Sequence, residues 1–152
     1  MRVLHVLDHS LPLHSGYAFR TRAIMRAQMD DGLEVRGITG PRHSAQGPAE
    51  ETCEGLRFHR TPQSVGGPPG LREWREVAAH ADAIVALARD WRPDVLHAHS
   101  PALSGLAAIR AGKKLGIPVV YEIRAFWEDA AVGNGTGREG SPRYRLTRML
   151  EN

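Results

Sequence analysis

Short, nearly continuous apolar runs recur at Val3 to Leu7, Leu33 to Ile38, Asp94 to Leu96 and Val119 to Ile123, the pattern of strands buried on both faces. Between them the period changes. From Arg72 to Trp91, residues Trp74, Val77, Ala81, Ile84, Ala88 and Trp91 recur every three or four positions, which predicts an amphipathic helix of about five turns. A second helix is expected from Gly16 to about Asp31, with Ala23, Ile24 and Ala27 inward, Arg22, Arg26 and Asp30 on one polar stripe, and Gly32 as its stop. A third opens at Ser100-Pro101, read as an N-cap and a first-turn proline, and closes through Lys113, Lys114, Gly116 and Pro118.

One stretch breaks the alternation. Residues Gly40 to Gly55 are rich in Gly, Pro and Ser, and Leu56 to Arg60 then alternates, so an extra strand or small hairpin is expected around Gly55. Thr61 to Gly70, with its prolines and glycines, reads as a mobile surface loop. Strands separated by helices imply parallel β-α-β units with right-handed crossovers. The expected fold is therefore α/β, with a doubly wound, mainly parallel sheet of five strands.

Composition narrows the class. A chain of 152 residues fits one domain with a core of its own, and 41% hydrophobic against 24% charged residues is a globular balance. No apolar run approaches the roughly 18 residues of a membrane span, and the run after Met1 is too short for a secretory signal, so a cytoplasmic location is expected. Cys53 is the single cysteine, so no internal disulfide is possible, and its neighbours Glu51 and Glu54 argue against a reactive thiolate. The net charge of +3 comes from arginines spread along the chain rather than gathered in a stripe, which argues against nucleic acid and leaves anionic small molecules or a lipid surface as partners. Toward the end, Gly133 to Gly140 is glycine-rich and Ser141-Pro142 restarts a helix. The sequence stops at Asn152 with Leu146, Met149 and Leu150 still apolar, and the expectation is a truncated chain.

Ligands of open α/β sheets sit beyond the carboxyl ends of the strands, which directs attention to the loops beginning at Asp8, Thr39, His97 and Arg124. In the first of these, Asp8 to Tyr17, Gly16 would let a phosphate approach the backbone N–H groups at a helix's positive end; the plainer reading is a tight turn. One glycine is not a dinucleotide fingerprint and no Gly-Lys-Ser or Gly-Lys-Thr follows, so NAD and P-loop readings fall away and no cofactor is expected. His97 and His99, two apart, share a face if the strand continues. A zinc site would need a third ligand, with His9 and His14 as candidates, but the expectation is no metal: a structural role for His97, and for His99, nearest the loop mouth, contact with a sugar hydroxyl or a developing charge. Tyr121 to Asp129 gathers Arg124, Phe126, Trp127, Glu128 and Asp129, residue types that stack on sugar rings and accept hydroxyl protons, although the aromatics could equally cover a sheet edge.

Taken together, the first loop with Gly16, the run Asp94-Val95-Leu96-His97-Ala98-His99-Ser100 and Ile117-Pro118-Val119-Val120-Tyr121-Glu122 resemble the amino-terminal lobe of family 4 (group 1) retaining glycosyltransferases. His9 to Tyr17 and Tyr121 to Val132 further resemble the bacterial glycosyltransferases associated with PEP-CTERM/exosortase A systems. The resemblance implies a GT-B architecture in which residues 1–152 are the Rossmann-like, acceptor-side lobe and a donor-binding lobe lies outside this sequence. It implies a nucleotide-sugar donor and a glycan or lipid-linked acceptor, in extracellular polysaccharide or surface glycan synthesis. On that likeness Gly16 with Ser15 approaches the donor diphosphate and His99 is the catalytic residue. His14, Tyr17, Arg124, Trp127 and Glu128 are carried over as acceptor or sugar contacts. Retention is ascribed to front-face attack with the departing phosphate taking the acceptor's proton, so no metal is implied and the isolated lobe should be inactive. Where relatives carry a His-Asp pair, this chain has Arg124 and then Phe126-Trp127-Glu128-Asp129. Peripheral contact with the inner membrane face through Arg138, Arg143, Arg145 and Arg148 is a further expectation. The rival reading is a stand-alone Rossmann-like module that binds a sugar, an anion or a protein without chemistry.

Overall fold

A computed structural model of the protein describes residues 1–62 and 66–124. Phe126, Trp127, Glu128, Asp129, the glycine-rich segment, the arginine-rich end and the middle of the 61–70 loop lie outside the described residues.

The chain runs β1 (Arg2–Leu7), α1 (Gly16–Asp30), β2 (Glu34–Thr39), β3 (Glu50–Cys53), β4 (Leu56–Arg60), α2 (Leu71–Asp90), β5 (Val95–His99), α3 (Ala102–Leu115) and β6 (Val119–Glu122). Its sheet has the order β3-β4-β2-β1-β5-β6, and every neighbouring pair is parallel except the β3–β4 hairpin. This is a Rossmann-like α/β sheet, and its sixth strand comes from the hairpin expected near Gly55. Glu54 and Gly55 turn that hairpin with φ of 50° and 80°, the doubly left-handed conformation that matches the twist of the flanking strands.

Side-chain alternation divides the core. Leu4 and Val6 of β1 join Leu96 and Ala98 of β5 beneath α2 and α3, with Ile84, Ala107, Ala108 and Ala111. On the opposite face Leu7 packs with Leu11, Met25, Leu56 and Phe58 under α1. Gly112 lets α3 lie close to the sheet: a Cβ there would sit 2.5 Å from Val119 Cγ2 and 2.8 Å from the Ile117 carbonyl oxygen. Gly116, left-handed at φ +67°, closes α3, and its N–H donates to the Gly112 carbonyl.

Several expected details change. The buried stripe of α1 is Ala18, Thr21 and Met25 rather than Ala23, Ile24 and Ala27, because the sheet lies on the side where Met25 can reach Leu56 and Phe58. Arg22 and Arg26 do share a polar stripe, and both reach Glu54. In α2, Trp74 is 60% exposed while Glu76 and His80 are buried; the Glu76 carboxylate accepts there from both Nε and Nη2 of Arg42 at 3.0 and 2.8 Å. At α3 the N-cap is Pro101, which has no side-chain hydroxyl to offer. Ser100 Oγ instead accepts from the Arg124 N–H at 3.1 Å, tying the two chain ends beyond β5 and β6 together.

Candidate functional site

The strand order reverses direction at β1, between β2 and β5, so the crevice of the sheet opens beyond the carboxyl ends of β1 and β5. The 8–15 loop and the segment after β5 flank that crevice.

The 8–15 loop is held from three sides. Ser15 is the N-cap of α1, its Oγ accepting from the Ala18 N–H at 3.0 Å, the arrangement that satisfies one of the orphan donors of a first helical turn. The same Oγ lies 2.8 Å from His9 Nε2, and His9 Nδ1 lies 3.0 Å from Asp8 Oδ2. From the hairpin side, Arg60 donates to Ser10 Oγ and to the Leu11 carbonyl at 2.6 Å each, while also pairing with Glu51. Gly16 begins the helix with an ordinary φ, and a Cβ there would meet nothing within 4 Å among the described residues. Gly16 is exposed at the point where the positive end of α1 begins. His14 is exposed beside Phe19.

Tyr17 and Arg124 turn inward instead. The Tyr17 ring stacks on His9 at 4.6 Å and lies under the Arg124 guanidinium at 4.6 Å, and its hydroxyl accepts from the Asp8 N–H at 3.3 Å. Burial raises the phenol above its ordinary range, so it stays a neutral hydroxyl. Arg124, with a side chain 6% exposed, donates from Nη1 to Thr21 Oγ1 at 2.9 Å and to the Tyr17 carbonyl at 3.1 Å. These bonds pin the end of β6 onto α1.

Strand β5 continues through His99, three residues beyond the Leu96 end implied by a loop beginning at His97. Alternation then places His97 and His99 on the α1 face, and the β1–β5 register sets His5 directly beside His97. His5 was not anticipated. Its Nδ1 lies 2.8 Å from His99 Nε2, and its Nε2 lies 2.7 Å from Gln28 Oε1 on α1. The His97 and His99 rings stack at 4.2 Å. Across β6, Glu122 Oε2 stands 3.1 Å from His97 Nε2 and 3.3 Å from His99 Nδ1, and its Oε1 accepts from Arg20 Nη2 at 2.8 Å. His99 is completely buried, whereas the His97 and Glu122 side chains are 18% and 23% exposed. The residue at the mouth is thus His97, with His99 one contact behind it. Burial pushes His5 down to about 3 and holds His99 and His97 below the usual imidazole range, with the cationic neighbours of His99 acting in the same direction.

The third histidine that could complete a metal set is His5, not His9 or His14: ligand atoms of His5, His97 and His99 all lie within 4.8 Å of one another. The surrounding charge weighs against a further cation, since Arg20 and Arg124 both gather at Glu122, and both nitrogens of His5 already have partners.

Comparison with known proteins agrees with this architecture. The family described as glycosyl transferase 4-like domain matches residues 15–152. A GDP-mannose-dependent alpha-mannosyltransferase of Mycolicibacterium smegmatis is 28% identical over 99% of this chain, which spans 39% of that relative's length. Among solved structures, sucrose-phosphate synthase from Thermosynechococcus elongatus superposes with a TM-score of 0.67 at 15% identity, covering 99% of this chain and 38% of that one. The Streptomyces sp. SF2575 glycosyltransferase SsfS6 superposes with a TM-score of 0.56 at 21% identity, over 83% of this chain and 40% of that one.

Proposed function

Because the chain belongs to the glycosyl transferase 4-like domain family, we propose that it is the acceptor-side lobe of a retaining GT-B glycosyltransferase. In this reading a second lobe holds a nucleotide sugar over the crevice beyond β1 and β5. The observation that supports it best is a juxtaposition: the open N-terminus of α1 at Ser15 and Gly16 lies along the same sheet edge as His97, His99 and Glu122.

The division of labour follows from the chemistry of each part. Helix N–H groups and the clearance around Gly16 suit a diphosphate. The neutral, buried imidazole of His99 and the Glu122 carboxylate suit sugar hydroxyls. His14 would face the acceptor, with Tyr17 and Arg124 shaping the wall behind it, and Trp127 and Glu128 are kept as acceptor contacts on the family likeness alone. Reaction would proceed by positioning and electrostatics, the leaving phosphate taking the acceptor's proton. The relative's printed substrate makes GDP-mannose the first donor to try. The acceptor we propose is a glycan or lipid-linked glycan at the cytoplasmic face of the membrane, in surface or extracellular polysaccharide synthesis of the PEP-CTERM/exosortase A type. No described helix is long and apolar enough to cross a membrane.

The test is nucleotide release from GDP-mannose and other nucleotide sugars by the protein carried through its natural reading frame, beside residues 1–152 alone. Turnover by the longer protein only, lost in folded Gly16→Trp and His99→Ala variants, is the expected result. Ligand binding by residues 1–152 without turnover by either form would replace this reading with a non-catalytic module.

A further inference from the structure

The hydrogen-bond line running from α1 into the site has a definite direction. Gln28 Oε1 is a carbonyl and can only accept, so at 2.7 Å it takes the N–H of His5 Nε2. A neutral imidazole has a single N–H, which leaves His5 Nδ1 as an acceptor for His99 Nε2–H at 2.8 Å. The proton of His99 is then used, and its Nδ1 is a bare lone pair. That atom is buried and has no hydrogen-bond partner among the described residues, although Glu122 Oε2 is only 3.3 Å away. Two acceptors side by side repel unless a donor comes between them, and an acceptor left unsatisfied in a buried site has lost its hydration with nothing in return.

We propose that Gln28 and His5 are positioning residues that fix the tautomer of His99, so that His99 Nδ1 and Glu122 Oε2 together form an acceptor pair for one sugar hydroxyl. This rests on the transferase reading above and deepens it: Gln28 and His5 touch no substrate and act only through His99. The hydroxyl enters beside Glu122 and His97, the exposed members of the group, and a single O–H bridges the 3.3 Å between its two acceptors. A site built to hydrogen-bond a hydroxyl discriminates strongly against a sugar lacking it, because the paired acceptors are then left facing one another.

The order of protons can be read directly. Long-range 1H–15N correlation spectra of the histidine rings distinguish the two neutral tautomers, and in the wild-type protein His99 should carry its proton on Nε2. Replacing Gln28 with Leu removes the terminal acceptor, so His5 can move its proton to Nδ1 and donate to His99. The His99 proton then shifts to Nδ1, toward Glu122. Gln28→Leu is therefore expected to change the His99 tautomer and, in the protein carried through its natural reading frame, to raise the KM for the nucleotide sugar about 10-fold, with a smaller effect on kcat. Gln28→Glu, measured in alkaline buffer so that the imidazoles stay neutral, keeps an acceptor in place and should keep both the tautomer and KM near wild type.

A wild-type His99 proton on Nδ1 would overturn the proposal, as would a Gln28→Leu protein whose tautomer moves while KM does not. A KM change without a tautomer change would also overturn it, since packing rather than proton order would then be responsible. Because the spectra need no turnover, a protein that transfers no sugar but shows the Nε2 tautomer would sink the transferase reading and the hydroxyl role while leaving the Gln28–His5–His99 proton order standing.

Discussion

Lowering the pH from about 7.5 to about 5.5 should destabilise this fold by about 4–6 kcal/mol, and histidines rather than carboxylates should account for the loss. His5, His80 and His99 are 0%, 3% and 0% exposed, and burial holds all three below the ordinary imidazole value, His5 at about 3 and His80 at about 4. In the unfolded chain each titrates near 6.5. Above that pH neither state binds the proton and stability is at its full value. Below it the unfolded state takes up protons that the folded state refuses, so stability falls with pH until the folded groups themselves titrate. Each histidine then removes about 1.4 kcal/mol per pH unit below about pH 6.5, and His43, pushed down to about 4 by burial, adds in the same direction. Ordinary carboxylates titrate near 4 and contribute little in this window. Urea unfolding at a series of pH values reads the effect as a shift in the free energy at zero denaturant, and proton uptake on unfolding follows from its slope. His80→Gln should reduce that uptake by about one proton. An unfolding free energy that stays flat between about pH 6.5 and 5, or a slope that His80→Gln leaves unchanged, would refute the reasoning.

Other perturbations probe separate parts of the same structure. Gly112→Ala should cost about 1–3 kcal/mol in thermal unfolding, since the new methyl would meet the Ile117 carbonyl oxygen at 2.8 Å and backbone cannot rotate away as a side chain can. Ser15→Ala, which removes the cap of α1 and the partner of His9, should cost about 0.5–2 kcal/mol by the same assay. Arg60→Met should leave Glu51 unpaired and release Ser10 and Leu11; about 1–3 kcal/mol is expected, together with faster amide hydrogen exchange in residues 8–15. Glu122→Gln removes the charge shared by Arg20, Arg124, His97 and His99, and on the proposed reading should lower nucleotide-sugar turnover by the longer protein while the far-UV circular dichroism spectrum stays unchanged.

The sequence alone carried the class of fold, because periodicity is a local property. Apolar runs marked β1, β2, β5 and β6, three-and-four spacing marked α2, and the Gly116-Pro118 stop ended α3, each by steric rules that act within a few residues of chain. Alternation also implied that His97 and His99 share a face, and the structure agrees. What sequence could not supply was anything that depends on which elements become neighbours. The inward face of α1 was misread because Ala23, Ile24 and Ala27 are apolar, whereas Ala18, Thr21 and Met25 are the residues that meet the sheet. The signal for His5 was present: a polar residue in the middle of an apolar strand, on the opposite parity from Leu4 and Val6. Its meaning came only from the parallel register that sets His5 beside His97 and from Gln28 reaching down from α1, 23 residues away. Glu122 became a hub for the same reason, its four cationic or imidazole neighbours coming from α1, β5 and the end of β6. Local sterics act along the chain and can be read from it, while a buried polar network is settled by long-range register, where one residue of slip would turn every one of these groups to the other face.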